Sequence, residues 1–158
     1  MINLNDLVGE FDAKNRIVHL TAKRPIHITT LEQGKALSKA VNEILAGHLR
    51  GERGYLVTDY SKIIIEPEKI EEYAAAIRYI FDTYLYPEGF ARYGFEITRV
   101  TARLSHTMHL GGSPNLFNTK EEAFLYIYSL IEQRQRAESA AGDVVPSQTT
   151  PAPTGQQR

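Results

Sequence analysis

Along the chain the spacing of apolar positions alternates between two and about 3.6, and each change marks an element. Residues 4–11 (LNDLVGEF) and 16–22 (RIVHLTA) flank DAKN, a cluster of turn formers. Ile17, His19 and Thr21 alternate with Val18, Leu20 and Ala22, so the pair reads as an antiparallel hairpin. Pro25 cannot donate to a ladder and ends it. Thr29 or Thr30 then stands as a helix N-cap, with Glu32 or Gln33 at the reciprocal position of a capping box. Leu37, Val41, Ile44, Leu45 and Leu49 share one face, which predicts a helix of about 18 residues crossing a sheet.

Tyr55 to Tyr60 form a nearly continuous apolar run, as an inner strand covered on both faces requires. Glu66-Pro67-Glu68 opens the next helix, because proline fits the first turn and acidic groups favour that end of the dipole. In that helix Ile70, Tyr73, Ala74, Ile77, Phe81, Tyr84 and Leu85 fall on one side, and Ala75, Tyr79 and Tyr86 on the other. Pro87 and Gly89 stop it. Phe95 to Leu104 is rich in β-branched residues and predicts a further strand, followed by a loop. Asn118 or Thr119 caps a last helix from Lys120 to about Ala137. That helix is either sandwiched between two surfaces or exposes Leu125 and Tyr126, which point away from Phe124 and Ile127, to a partner. From Glu138 onward Pro, Ser, Thr, Gln and Gly dominate, so residues 138–158 read as a disordered tail behind a domain of residues 1–137.

The expected fold class is therefore α/β, a mixed sheet with helices in the order β-β-α-β-α-β-α. Within it YLVTDYSKIIIEPEKIEEYAAAI, a strand ending in Asp and Ser ahead of an apolar run and a helix, resembles the STAS superfamily shared by bacterial anti-sigma-factor antagonists. The hairpin leading into a helix and the closing NLFNTKEEAFLYI, with its Phe-x-x-x-Glu-Glu-Ala pattern, are similar to the same family, and the three features span about residues 10–133. The resemblance implies a non-enzymatic regulatory module that binds a protein partner or itself. It departs in one place. Antagonists of the family carry a phosphorylatable Ser or Thr before the second helix, where this chain has Ile64-Ile65-Glu66-Pro67. A single glutamate supplies less charge than a phosphate, so switching by phosphorylation is in doubt while an interaction role survives.

Composition narrows the partners. Of 158 residues 42% are apolar and 23% charged, at net charge −1. Glu138, Asp143 and Arg158 account for that charge and leave the body balanced, so it lacks the basic field of a nucleic-acid binder. There is no cysteine, which excludes disulfides and thiolate chemistry. The N-terminus has neither a basic nor an apolar signal region, and no apolar run approaches the roughly 20 residues of a membrane span, so a cytoplasmic protein without membrane contact is expected.

The candidate chemistry is sparse. His106 and His109, with Asp59 or Glu96, have ligand types for a metal-dependent hydrolase, but on a strand positions i and i+3 face opposite ways. Gly111-Gly112-Ser113 reads as an anion nest or, more simply, a turn. Ser61 and Lys62 are adjacent and diverge in extended backbone, against a nucleophile pair. The working surface is accordingly placed at the strand end (Asp59, Tyr60, Ser61, Lys62 and Glu66) and on outer helix faces (Tyr79, Tyr86, Leu125 and Tyr126). No catalytic residue, metal or cofactor is expected. More specifically the chain resembles small stand-alone STAS/SEC14-like proteins, and that resemblance implies the alternative, a small apolar, lipid-like ligand held between the Tyr/Phe-rich helix and the sheet.

Overall fold

The computed structural model describes residue 2 and residues 4–66, 70–94 and 115–149. The fold is α/β, and among the described residues it has three α-helices, a mixed four-stranded sheet and a two-stranded parallel sheet. Strand β1 (Leu7–Asp12) runs antiparallel to β2 (Ile17–Ala22), with Leu7 opposite Ala22 and Asp12 opposite Ile17. Asp12 builds the turn between them: Oδ1 accepts from the backbone of Lys14 and Asn15, and Oδ2 from the Asn15 side chain. After β2 come β3 (Ile26–Ile28), α1 (Leu31–Leu49), β4 (Gly54–Asp59), β5 (Ile63–Ile65), α2 (Ile70–Tyr84), β6 (Leu85–Tyr93) and α3 (Lys120–Thr149). Strands β2, β4 and β6 are mutually parallel in the order β1-β2-β4-β6, and β3 pairs with β5.

Helix α1 starts where its sequence says it should. Thr30 is the N-cap in extended backbone, its hydroxyl accepts from Gln33 N–H, and the Gln33 side chain reaches back to the cap. Leu37, Val41, Leu45 and Leu49 are buried and Ile44 half-buried, the stripe that helical spacing assigns to one face. Strand β4 is buried along nearly its whole length between β2 and β6. Its alternation divides the core into two layers. Val18, Leu20, Leu56 and Phe90 meet α1 and α2 through Leu37, Leu45, Tyr73, Ile77, Ile80 and Phe81. On the other face, where Phe124 meets His19, lie buried Ile17, Val57 and Ala91, and from α3 Ala123 and Ile127.

Three expectations change. Helix α2 ends at Tyr84 rather than carrying Leu85 and Tyr86, which instead begin β6. The Arg53 guanidinium takes the carbonyls of Asp82 and Leu85 at 2.9 and 2.6 Å, so a distant residue closes the helix where a local reading continues it. Pro87, Glu88 (φ 59°) and Gly89 then form a bulge: Gly54 pairs with Leu85, yet Leu56 pairs with Phe90. Pro25 does end the first ladder, but Ile26–Ile28 and Ile63–Ile65 pair as a second one. Thirdly, the helical backbone of α3 runs on through Thr149, past the boundary expected near Ala137.

The chain divides into two compact units, Met1–Ile127 and Tyr128–Arg158. Taken by itself the second is helical to Thr149, with i, i+4 pairs Glu132–Arg136 and Arg134–Glu138 along exposed side chains. The strand expected over Phe95–Leu104, the His106–His109 pair, Glu96, Glu68 and Gly111–Ser113 lie outside the described residues, as does 150–158.

Candidate functional site

At the carboxyl end of β4 a tight turn is built around one carboxylate. Asp59 Oδ1 accepts from Ser61 N–H at 2.8 Å, and Gly94 packs so closely above it that no side chain fits there. Ser61 and Lys62 are exposed, as the sequence implies for a working surface. Tyr60 is not. It is buried on the other face of the strand, its hydroxyl 3.2 Å from that of Tyr73. The alternation of β4 explains the correction, since Asp59 and its neighbour must face opposite ways. Burial pushes both phenols above the usual tyrosine range. Glu66, half-buried, meets His27 Nε2 at 2.6 Å across the β3–β5 pair.

The helix-borne set divides as well. Tyr79 on α2 is 70% exposed and Leu125 on α3 is 66% exposed, and both are large apolar groups in water. The two lie over opposite faces of the main sheet, because α2 packs on the Leu56 side and the start of α3 on the His19 side. Tyr86 and Tyr126, expected beside them, are half-buried instead. Tyr86 leaves the helix and sets its ring against Tyr55, centroids 5.1 Å apart. Tyr126 donates to the Glu88 carbonyl at 3.0 Å and stacks on Phe117, which pegs α3 to the β6 bulge. Burial raises its phenol above the usual value, with the Glu88 carboxylate adding to the effect.

Sequence reasoning missed the polar chain under α3. His19 on β2 has Nε2 2.7 Å from the Tyr93 hydroxyl and Nδ1 3.7 Å from Glu10 Oε1. Burial, then Asp59, Glu121 and Glu10, push the Tyr93 phenol up to about 12. A phenol held there is a poor nucleophile or base at neutral pH. The only early signal was His19 in an alternating strand, opposite Glu10 across the hairpin. Arg92 was also missed. It lies 1% exposed beside Phe90, and burial lowers its pKa to about 10, which leaves it charged at neutral pH.

The space enclosed by Leu20, Leu37, Leu56, Tyr60, Tyr73 and Ile77 amounts to about 10 Å³, barely room for one water and far below a lipid-like ligand. A larger open groove of about 410 Å³ at the end of α2 is bordered by Arg53, Arg78, Asp82, Tyr86 and Glu88, a mixed-charge rim without convergence on one ligand type. The described residues contain no cluster of three or more metal-ligating side chains and no helix long and apolar enough to cross a membrane. Compared with protein-family models, curated proteins and solved structures, the chain matches none.

Proposed function

We propose that this chain is a non-enzymatic interaction module of STAS-like fold, cytoplasmic and regulatory, which pairs with a second copy of itself. The observation that carries the reading is Tyr79, a large amphipathic ring held in water on the outer face of α2 while Tyr73, Ile77, Ile80 and Phe81 anchor the inner face. A tyrosine in that setting provides rigid contact area at small entropic cost, which is why such residues dominate interfaces. The hairpin β1–β2, the Asp59–Ser61 strand end ahead of β5 and α2, and the Thr119 cap on α3 with Glu122 in reciprocal contact support the family resemblance.

Light scattering coupled to size-exclusion chromatography over a wide concentration range tests it. The expected result is a species of twice 17.8 kDa that dissociates on dilution. Tyr79→Ala should weaken pairing by about 2 kcal/mol, roughly thirtyfold in Kd, as loss of a central aromatic anchor does. Leu125→Ala reports separately on the other side of the sheet and should leave pairing through α2 intact. A monomer at every concentration would end the self-association reading.

A further inference from the structure

The chain Glu10–His19–Tyr93 has no part in the interaction surface, yet it sits beneath the opening turns of α3. A carboxylate faces Nδ1 at 3.7 Å, an ion-pair distance, and Nε2 lies 2.7 Å from the Tyr93 hydroxyl. Phe124 meets the imidazole at 5.2 Å with rings at 77°, and the Lys120 ammonium lies 6.0 Å from the Phe124 centroid. With both ring nitrogens protonated Nε2 can only donate, so the Tyr93 hydroxyl must accept there. The second proton would also set a positive charge against that of the Lys120 ammonium.

We infer that His19 is an acid-operated latch: its neutral ring seats residues 120–127 of α3 on the sheet, and its protonation unseats them. The groups facing it from each packed element are Glu10 on β1, Asp59 on β4, Tyr93 on β6, and Lys120 on α3, with Glu121 acting on Tyr93. Burial first and Lys120 second hold the imidazole below the usual histidine value, against the opposing pull of Glu10 and Asp59. The sign follows. A base whose folded value is depressed stabilises the docked state fully above the unfolded value of 6.5, and that stability falls away as pH drops below it.

Hydrogen exchange of the full chain, corrected for intrinsic rates, tests the latch. Between pH 7.5 and 5.5, amides of residues 120–127 should lose protection, about tenfold for each pKa unit by which the folded histidine lies under the unfolded one. His19→Gln should flatten that dependence. Protection in the wild type that is flat with pH, or a pH-dependent loss that persists in His19→Gln, would overturn the inference. Should that variant not fold, ring titration of His19 by NMR in the wild type and in Lys120→Gln decides the matter. The expected result is a depressed midpoint that rises on removal of the ammonium. A midpoint at or above the ordinary histidine value, or one indifferent to Lys120, would refute it.

Discussion

Replacing Gly94 by alanine tests the strand-end turn on which the Asp59 surface depends. Gly94 closes β6 at φ 88°, and a Cβ there would lie 2.5 Å from Asp59 Oδ1, 2.8 Å from Ser61 N and 3.2 Å from Ser61 Cβ. The backbone conformation alone costs an L-residue about 1–2 kcal/mol. Moving Asp59 aside removes the hydrogen bond from Ser61 N–H, about 1 kcal/mol more. The backbone nitrogen of Ser61 cannot swing away as a side chain does, so the contact is not relieved cheaply. The total is about 2–3 kcal/mol, a sizeable part of the ~5–15 kcal/mol that holds a domain together. For a chain of this size Tm should fall by about 4–12 °C. Urea unfolding followed by circular dichroism should show a lower midpoint with an unchanged slope. Asp59→Ala removes the closest clash and the same bond, so the double variant should cost at least about 0.5 kcal/mol less than the sum. A loss under about 0.5 kcal/mol for Gly94→Ala, or strict additivity, would mean that this turn is not held as described.

Other consequences are simpler to state. Thr30→Ala removes the hydroxyl half of the α1 capping box and should cost about 1 kcal/mol in the same urea assay; no change would show that the cap is not limiting. Leu45→Ala empties a fully buried position between α1 and the sheet and should cost about 2–5 kcal/mol, whereas an effect near zero would contradict the packing of α1. Tyr60→Phe takes away the hydroxyl partner of Tyr73 and should cost about 1–2 kcal/mol, and the double change to Phe at both positions less than the two singles together. Burial raises the folded values of Tyr60, Tyr73 and Tyr93, so the unfolded chain loses these protons first. Stability should hold below pH 10 and decline as pH rises beyond it; a thermal midpoint unchanged from pH 8 to 11 would refute this.

Much of this was legible in the chain because the forces concerned are local. The Thr30–Gln33 cap needs only neighbours in sequence, and the Leu37–Leu49 stripe follows from helical geometry. The apolar run of β4 announces a strand covered on both faces, and it is one. The stop of α2 was not legible, because Arg53 supplies it from 29 and 32 residues away. Nor was β6, whose Phe90-Ala91-Arg92-Tyr93 segment follows a proline and includes an arginine that only a buried aromatic setting accepts.

The candidate surface divides along the same line. Residue order alone put Asp59, Ser61 and Lys62 at a strand end, and a helical wheel alone turned Tyr79 outward. Tertiary structure decided which aromatics remained there: Tyr126 is held by a carbonyl 38 residues away, Tyr86 by the ring of Tyr55, and Tyr60 by the hydroxyl of Tyr73. It also assembled His19, Tyr93 and Glu10 from three strands. Periodicity tells a side chain which way to face, since the backbone sets direction residue by residue. What waits on that face is a matter of how distant segments come together, and only the folded chain answers it.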